Sequence, residues 1–246
     1  YTITVGDSSV TAAALKTVND ATTVNVTATA VTNITGSKTD LASVYGGGIT
    51  GLGNETITVS DANITSGEAN TIDAYTTGAV TATISTTAIA DLDDLTGTGN
   101  AYTIVIGSGD ATGSNASDLI AIDNATTVAV DATSITEVTG SNTNIGILYN
   151  LSGVSNLGDE NITITNDLTV AEANAIDLLT TGVVSASIAS TVDVGTLGDL
   201  TGTNSYTYVL PGGTPLTVSD LNGIIDSISI DVDASGVTSL TGDFND

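Results

Sequence analysis

The sequence predicts an α/β chain: a right-handed parallel solenoid of about ten strand–helix turns, four to each super-repeat of about 104 residues. Three observations lead there. Thr56 to Gly97 is said again from Asn161 to Gly202, with Glu68, Ala69, Asn70, Ile72, Asp73 and Thr76-Thr77-Gly78 recurring about 105 positions on, and self-similarity at a fixed period is the signature of an array. Apolar residues alternate with polar or small ones at intervals of roughly two dozen residues, as in half-buried strands. Between these alternations lie short segments with apolar residues at three- or four-residue spacing, as on one face of a helix.

The alternating positions are Ile3/Val5, Val24/Val26, Ile57/Val59, Ala82/Ile84, Ile104/Ile106, Val128/Val130, Ile162/Ile164, Ala186/Ile188, Tyr208/Leu210 and Ile230/Val232. Most steps are 21 to 25 residues, with one longer step of about 33 in each copy. The longer step falls at Gly46–Gly53 and Leu151–Gly158, which read as a bulge or extra turn on one edge. Thr65-Ser66-Gly67-Glu68 and Thr169-Val170-Ala171-Glu172 are capping boxes that open helices carrying Ala69/Ile72/Tyr75 and Ala173/Ile176/Leu179. Leu15/Val18, Leu41/Val44/Tyr45, Ile89/Leu92/Leu95, Leu119/Ile122, Ile145/Leu148, Val194/Leu197/Leu200 and Leu221/Ile224/Ile225 mark further helices of two or three turns. These are too short to stand without packing. Gly78, Gly97, Gly182 and Gly202 follow several of them where a left-handed residue is wanted. A helix between two strands returns the second parallel to the first, and such crossovers are right-handed. Residues 1–101 form a first super-repeat, 102–205 a second and 206–246 the start of a third, in one continuous solenoid. At about 4.8 Å per strand its body would be roughly 48 Å long. The opening YTITV is already in a strand, and the closing LTGDFND matches places where earlier copies continue. The chain therefore reads as cut from a longer array, stacked end to end on more of its own kind.

Two resemblances follow from these residues. Val24–Gly36, VNVTATAVTNITG, resembles the L-x-L-x-x-N-x-L cadence of leucine-rich repeats, which implies a solenoid of that general type. Ala30, Ser134 and Gly236 stand about where that family has its Asn. The wording EANAIDLLTTGVVSASI and TGTGNAYTI resembles the tandem repeats of giant cell-surface proteins of marine cyanobacteria. That resemblance implies an extracellular, cell-surface or filament-forming role.

Lys16 and Lys38 are the only cations against 28 carboxylates, a net charge of −26. That excludes the electrostatic footprint of a nucleic-acid or anionic-membrane binder and makes soluble cations the natural partners. No apolar run reaches the roughly 18 residues of a membrane span, so membrane insertion is not expected. With no Cys or His, nucleophilic triads and thiolate metal sites are out of reach. Only a carboxylate pair could run acid/base chemistry. Glu68 and Glu172 are accounted for by capping, while Glu55 and Glu160 sit at equivalent places beside strands and read as solvated turns; a catalytic pair would be unique, and these are copied. No enzyme is expected and no cofactor is required.

Two candidate surfaces remain. Ca²⁺ takes six to eight oxygens, and the cluster Asp91, Asp93 and Asp94 and the spaced Asp131, Asp231 and Asp233 are the candidate ligands, although the same carboxylates also read as ordinary surface solvation. The other is a hydroxyl row on the sheet, Thr56, Thr58, Thr81, Thr83 and Thr163, which resembles the rows of ice-binding solenoids and could equally face a glycan or only solvent. The leading expectation is a structural segment of an extracellular filament or cell-surface fibre; the alternative is an adhesin-like, ice- or glycan-binding module.

Overall fold

The structure, a computed structural model, describes residues 2–110, 112–210, 215–227 and 230–242. Tyr1, Asp243–Asp246 and the side chains of Val194 and Ile224, which enter the sequence reading above, lie outside that description. Strands and helices alternate, and every strand pairing is parallel. The chain forms two compact units: residues 1–110, 118–133 and 152–155 make the first, and 111–117, 134–151 and 156–246 the second.

In the first unit the order is β1 (Ile3–Thr4), β2 (Ser9–Thr11), α1 (Ala12–Asp20), β3 (Val26–Thr27), β4 (Asn33–Gly36), α2 (Lys38–Tyr45), β5 (Ile49–Thr50), β6 (Thr56–Val59), α3 (Ser66–Asp73), β7 (Val80–Thr83), α4 (Ile89–Leu92) and β8 (Ala101–Thr103). One sheet is ordered β1-β3-β5 and another β2-β4-β6-β7-β8. The first three strand–helix periods, here called rungs, therefore give two strands each, one to either sheet. The fourth rung, residues 79–99, has β7 and α4. Beyond β9 (Ser114–Asn115) and α5 (Ala116–Asn124), β10 (Val130–Asp131) pairs with β12 (Val154–Ser155).

The second unit repeats the plan with β11 (Glu137–Gly140), α6 (Asn142–Asn150), β13 (Asn161–Ile164), α7 (Val170–Asp177), β14 (Val184–Ile188) and β15 (Ser205–Val209). β16 (Pro215–Thr217), α8 (Val218–Ser227), β17 (Asp231–Asp233) and β18 (Ser239–Thr241) follow. Its main sheet is ordered β17-β15-β14-β13-β11-β9, and β16 pairs with β18.

The register corrects the longer step. Val26 lies opposite Ile49, and Asn33 opposite Thr56. Val26 and Ile57 belong to different sheets, so the interval between them spans one whole rung and part of the next. Gly46–Gly53 is no bulge; it carries β5, and Leu151–Gly158 carries β12.

Local chemistry sets the helices as read. Both capping boxes are formed, and Ser37 and Ser141 cap α2 and α6 by accepting from Asp40 N and Asn144 N. Gly97 and Gly202 adopt φ of +80° and +77°. Gly78 and Gly182 do not; they are small for another reason, taken up below. The fourth helices are shorter than expected. α4 is a single turn, and its second-copy counterpart Val194–Asp199, interrupted by Gly195 and Gly198, is a 3-10 helix. Ile34, Ile57, Val80, Leu41, Ala69 and Ile72 are buried in the first unit, and Val138, Ile162, Val184, Ile145, Ala173 and Ile176 in the second. A thin core between strands and helices holds each unit together.

Candidate functional site

Among the most enclosed polar side chains of the described residues are two glutamates that the sequence placed in solvated turns. Glu55 and Glu160 are 0% and 2% exposed. Each lies just before a strand and folds back over its own loop. Gly53 N–H donates to both Glu55 oxygens at 3.0 and 2.8 Å, and Asn54 N–H donates to Oε2 at 3.0 Å. Gly158 and Asp159 do the same for Glu160 at 3.1, 2.8 and 3.2 Å. The loop can curl because Gly53 and Gly158 adopt φ of +129° and +130°. Tyr45 O–H also donates to Glu55. Burial, then the bond to Glu55, raises the Tyr45 phenol well above its ordinary value, and its ring stacks on Tyr75 at 4.8 Å. Thr76 and Thr180 hydroxyls donate to the Glu55 and Glu160 carbonyls at 2.6 Å. The available signal was a Gly-x-Glu placed identically in both copies, but nothing local distinguishes an inward Glu from an outward one.

Asparagines bind one rung to the next. Asn100 Oδ1 accepts from Val80 N and its Nδ2 donates to Asp73, both at 2.8 Å. Asn204 accepts from Val184 N at 2.8 Å and donates to Asp177 at 2.6 Å. Buried Thr126 serves Tyr102 N and O in the same way, at 3.0 and 2.8 Å. These bonds come from positions other than Ala30, Ser134 and Gly236, where the leucine-rich-repeat cadence would have its Asn. Lys38 of α2 pairs with Glu68 of α3, and in the second copy Asn142 donates to Glu172 at 3.0 Å.

The threonine row is in register. Thr58 lies opposite Thr35 on one side and Thr81 on the other, with Thr11 beyond Thr35. Thr56 lies opposite Asn33, which donates to it at 3.0 Å, and Thr83 opposite Thr103. Thr56, Thr81 and Thr83 are exposed, and Thr58 is half-buried. In the second unit Thr163 stands between Thr139 and Ser185, with Asn115 and Ser205 beyond, and its hydroxyl donates to Glu137 at 3.1 Å.

The predicted calcium ligands are less gathered. Asp91 and Asp94 are exposed. Asp93 is raised above the ordinary aspartate range by burial, then by the charges of Asp118 and Asp94. Asp131, in the first unit, accepts from Thr133 N at 3.0 Å. Asp231 and Asp233 share β17 in the second unit, and Asp233, bonded to Ser235 N at 2.8 Å, is lowered by that bond. Among the described residues no three His, Cys, Asp or Glu side chains form a group that could hold a metal ion, and no helix is long and apolar enough to cross a membrane. A groove of about 530 Å³ lies between α2 and α3, lined by Lys38, Ala42, Glu68 and Tyr75 among others.

Asp123 supplies a pH-dependent test. Burial raises its carboxyl, and the first copy has Asn19 at that place. A raised carboxyl destabilises the fold above its folded pKa and not below the ordinary aspartate range. Asp123→Asn is expected to increase the urea midpoint at pH 7, with the gain gone at pH 3. An equal gain at both pH values would refute the electrostatic cause. Glu68 and Glu172 act oppositely. Lys38 first and the Thr65 backbone next lower Glu68, and the Thr169 backbone lowers Glu172. Their contribution is present above the ordinary glutamate range and is lost as pH falls through their folded pKa values.

These features define a repeat-like parallel α/β protein whose duplicated polar side chains bond chiefly to its own backbone. Comparison of the chain with protein-family models, with curated proteins and with solved structures finds no match.

Proposed function

We propose that the chain is a structural segment of an extracellular filament or cell-surface fibre. Its rungs wind right-handed into one continuous solenoid, about ten turns long and four to a super-repeat, and its partner is more of the same repeat, stacked end to end. One observation carries this reading: the features copied between repeats include the bonds that fix one rung on the next. Val80 N on Asn100, Asn100 on Asp73 and Thr76 on the Glu55 carbonyl all return in the second copy. A segment selected for length and stiffness would keep those bonds.

A charge of −26 over roughly 48 Å approaches one charge per ~2 Å, near the density of duplex DNA. Counter-ions, Ca²⁺ included, then act as a condensed atmosphere rather than as a cofactor. Electron microscopy of the native material is expected to show thin continuous rods, and discrete globules would end the proposal. The melting temperature should rise with NaCl and more steeply with CaCl₂; a melt insensitive to both would remove the cation part.

The in-register row Thr35–Thr58–Thr81 favours a second reading, an adhesin-like face for ice or glycan, with hydroxyls at about 4.8 Å spacing. Thr58→Tyr with Thr83→Tyr would then abolish surface affinity in a folded chain, and unchanged affinity would dispose of it.

A further inference from the structure

We infer that the outer face of the first rung is a docking surface for one kind of partner, a fourth-rung segment with the chemistry of residues 79–99 from an adjoining repeat. This rests on the stacked-rung reading above and adds a rule of phase to it. Among the described residues β1 and β2 each have a paired neighbour on one side only, β3 and β4. Beside them is a hollow of about 280 Å³ lined by Ile3, Val5, Val10, Leu15 and Val18.

The second copy shows what closes such a face, because the register places Ile104 where Ile3 stands and Ile122 where Val18 stands. Val18 is 37% exposed; Ile104 is 1% exposed and Ile122 0%. The fourth rung supplies the cover. Thr83 lies opposite Thr103, Ile84 N–H donates to Thr103 O at 3.0 Å, and Gly107 N–H donates to Thr87 O at 2.9 Å. Thr2 and Gly6 occupy the places of Thr103 and Gly107 in the first copy. Asp118, which raises Asp93 of the fourth rung, is replaced in the first copy by Ala14, which removes one carboxylate from that face, while Asp7 lines the same hollow.

A second-rung segment does not fit the same face. On the second rung, Gly51 of the third passes so close that a Cβ there would lie 2.5 Å from Thr29 Cγ2, and Gly51 has φ of +85°. The register Thr4–Thr27–Thr50 puts Val5 at the place of Gly51. The second copy keeps the left-handed backbone at the matching Asn156, with φ of 65°, and that backbone excludes a β-branched Val.

The test compares two extended chains, one with residues 49–101 joined ahead of Tyr1 and one with residues 2–48 joined there. Only the first puts a fourth rung on the first. Hydrogen exchange at Gly6 N–H is expected to slow by about 100-fold or more in the first chain and to stay unchanged in the second. Val18→Asp should be near neutral in the original chain and lower the melting temperature of the first extended chain. Unchanged Gly6 exchange in the first chain, equal slowing in both, or an indifferent Val18→Asp would each overturn the inference. Rods in native material with Gly6 unprotected would sink this docking and leave the structural reading standing; protected Gly6 without rods would do the reverse.

Discussion

Glu55→Ala is expected to cost about 3–5 kcal/mol of folding stability, a large part of the ~5–15 kcal/mol of a typical domain. The carboxylate is the acceptor for Gly53 N–H, Asn54 N–H and Tyr45 O–H inside a closed loop. Truncation leaves three donors around a fully buried position without their acceptor, at up to roughly 1–3 kcal/mol each, offset in part by the desolvation a carboxylate no longer pays. Glu55→Gln should cost far less, about 1 kcal/mol, since one oxygen still faces the amides and the tyrosine hydroxyl can turn to accept from the new NH₂. Glu160→Ala should fall between them, because Glu160 serves two amides and the side-chain oxygen of Tyr149, its counterpart of Tyr45, is without a hydrogen-bond partner among the described residues. Urea unfolding of the three variants checks the order Glu55→Ala, Glu160→Ala, Glu55→Gln; equal losses for all three would mean that the loop bonds do not set the stability.

Gly78→Ala is expected to destabilise by about 2–4 kcal/mol, somewhat above the usual range for overpacking. A Cβ at Gly78 would sit 2.4 Å from the Glu55 carbonyl oxygen and 2.7 Å from its carbon. These are backbone atoms held by the Thr76 hydroxyl, so the obstacle cannot rotate aside. Gly182 meets the Glu160 carbonyl at the same 2.4 Å, and Gly182→Ala should match it. The control is Gly67→Ala, where the new Cβ meets nothing within 4 Å. It lies in the first turn of α3, and the second copy already has Ala171 there. That change should stabilise by up to ~1 kcal/mol. A Gly78→Ala protein as stable as its parent would show that the rungs can separate at little cost.

Sequence and structure divide along the distance over which each feature is decided. The capping boxes at Thr65 and Thr169 and the left-handed Gly97 and Gly202 were legible because a cap or a positive φ is settled within three or four residues. The parallel α/β class was legible because a strand, a helix and a strand within two dozen residues leave few other ways back. β4 and β11 were not: Asn33–Gly36 and Glu137–Gly140 each hold a single buried apolar side chain, too little to register as alternation. The inward turn of Glu55 was hidden for the same reason, since an isolated Glu before a strand looks alike whether it meets water or Tyr45.

By itself the sequence determined the period, the order of strand and helix, and the charge, because each is a property of neighbouring residues or of composition. Only the tertiary structure decided that three rungs in four carry two strands, that two glutamates close their loops, and that Gly78 and Gly182 must lack a side chain. Those depend on which residues 20 to 24 positions apart are brought side by side, and that choice is made by packing between rungs rather than within them.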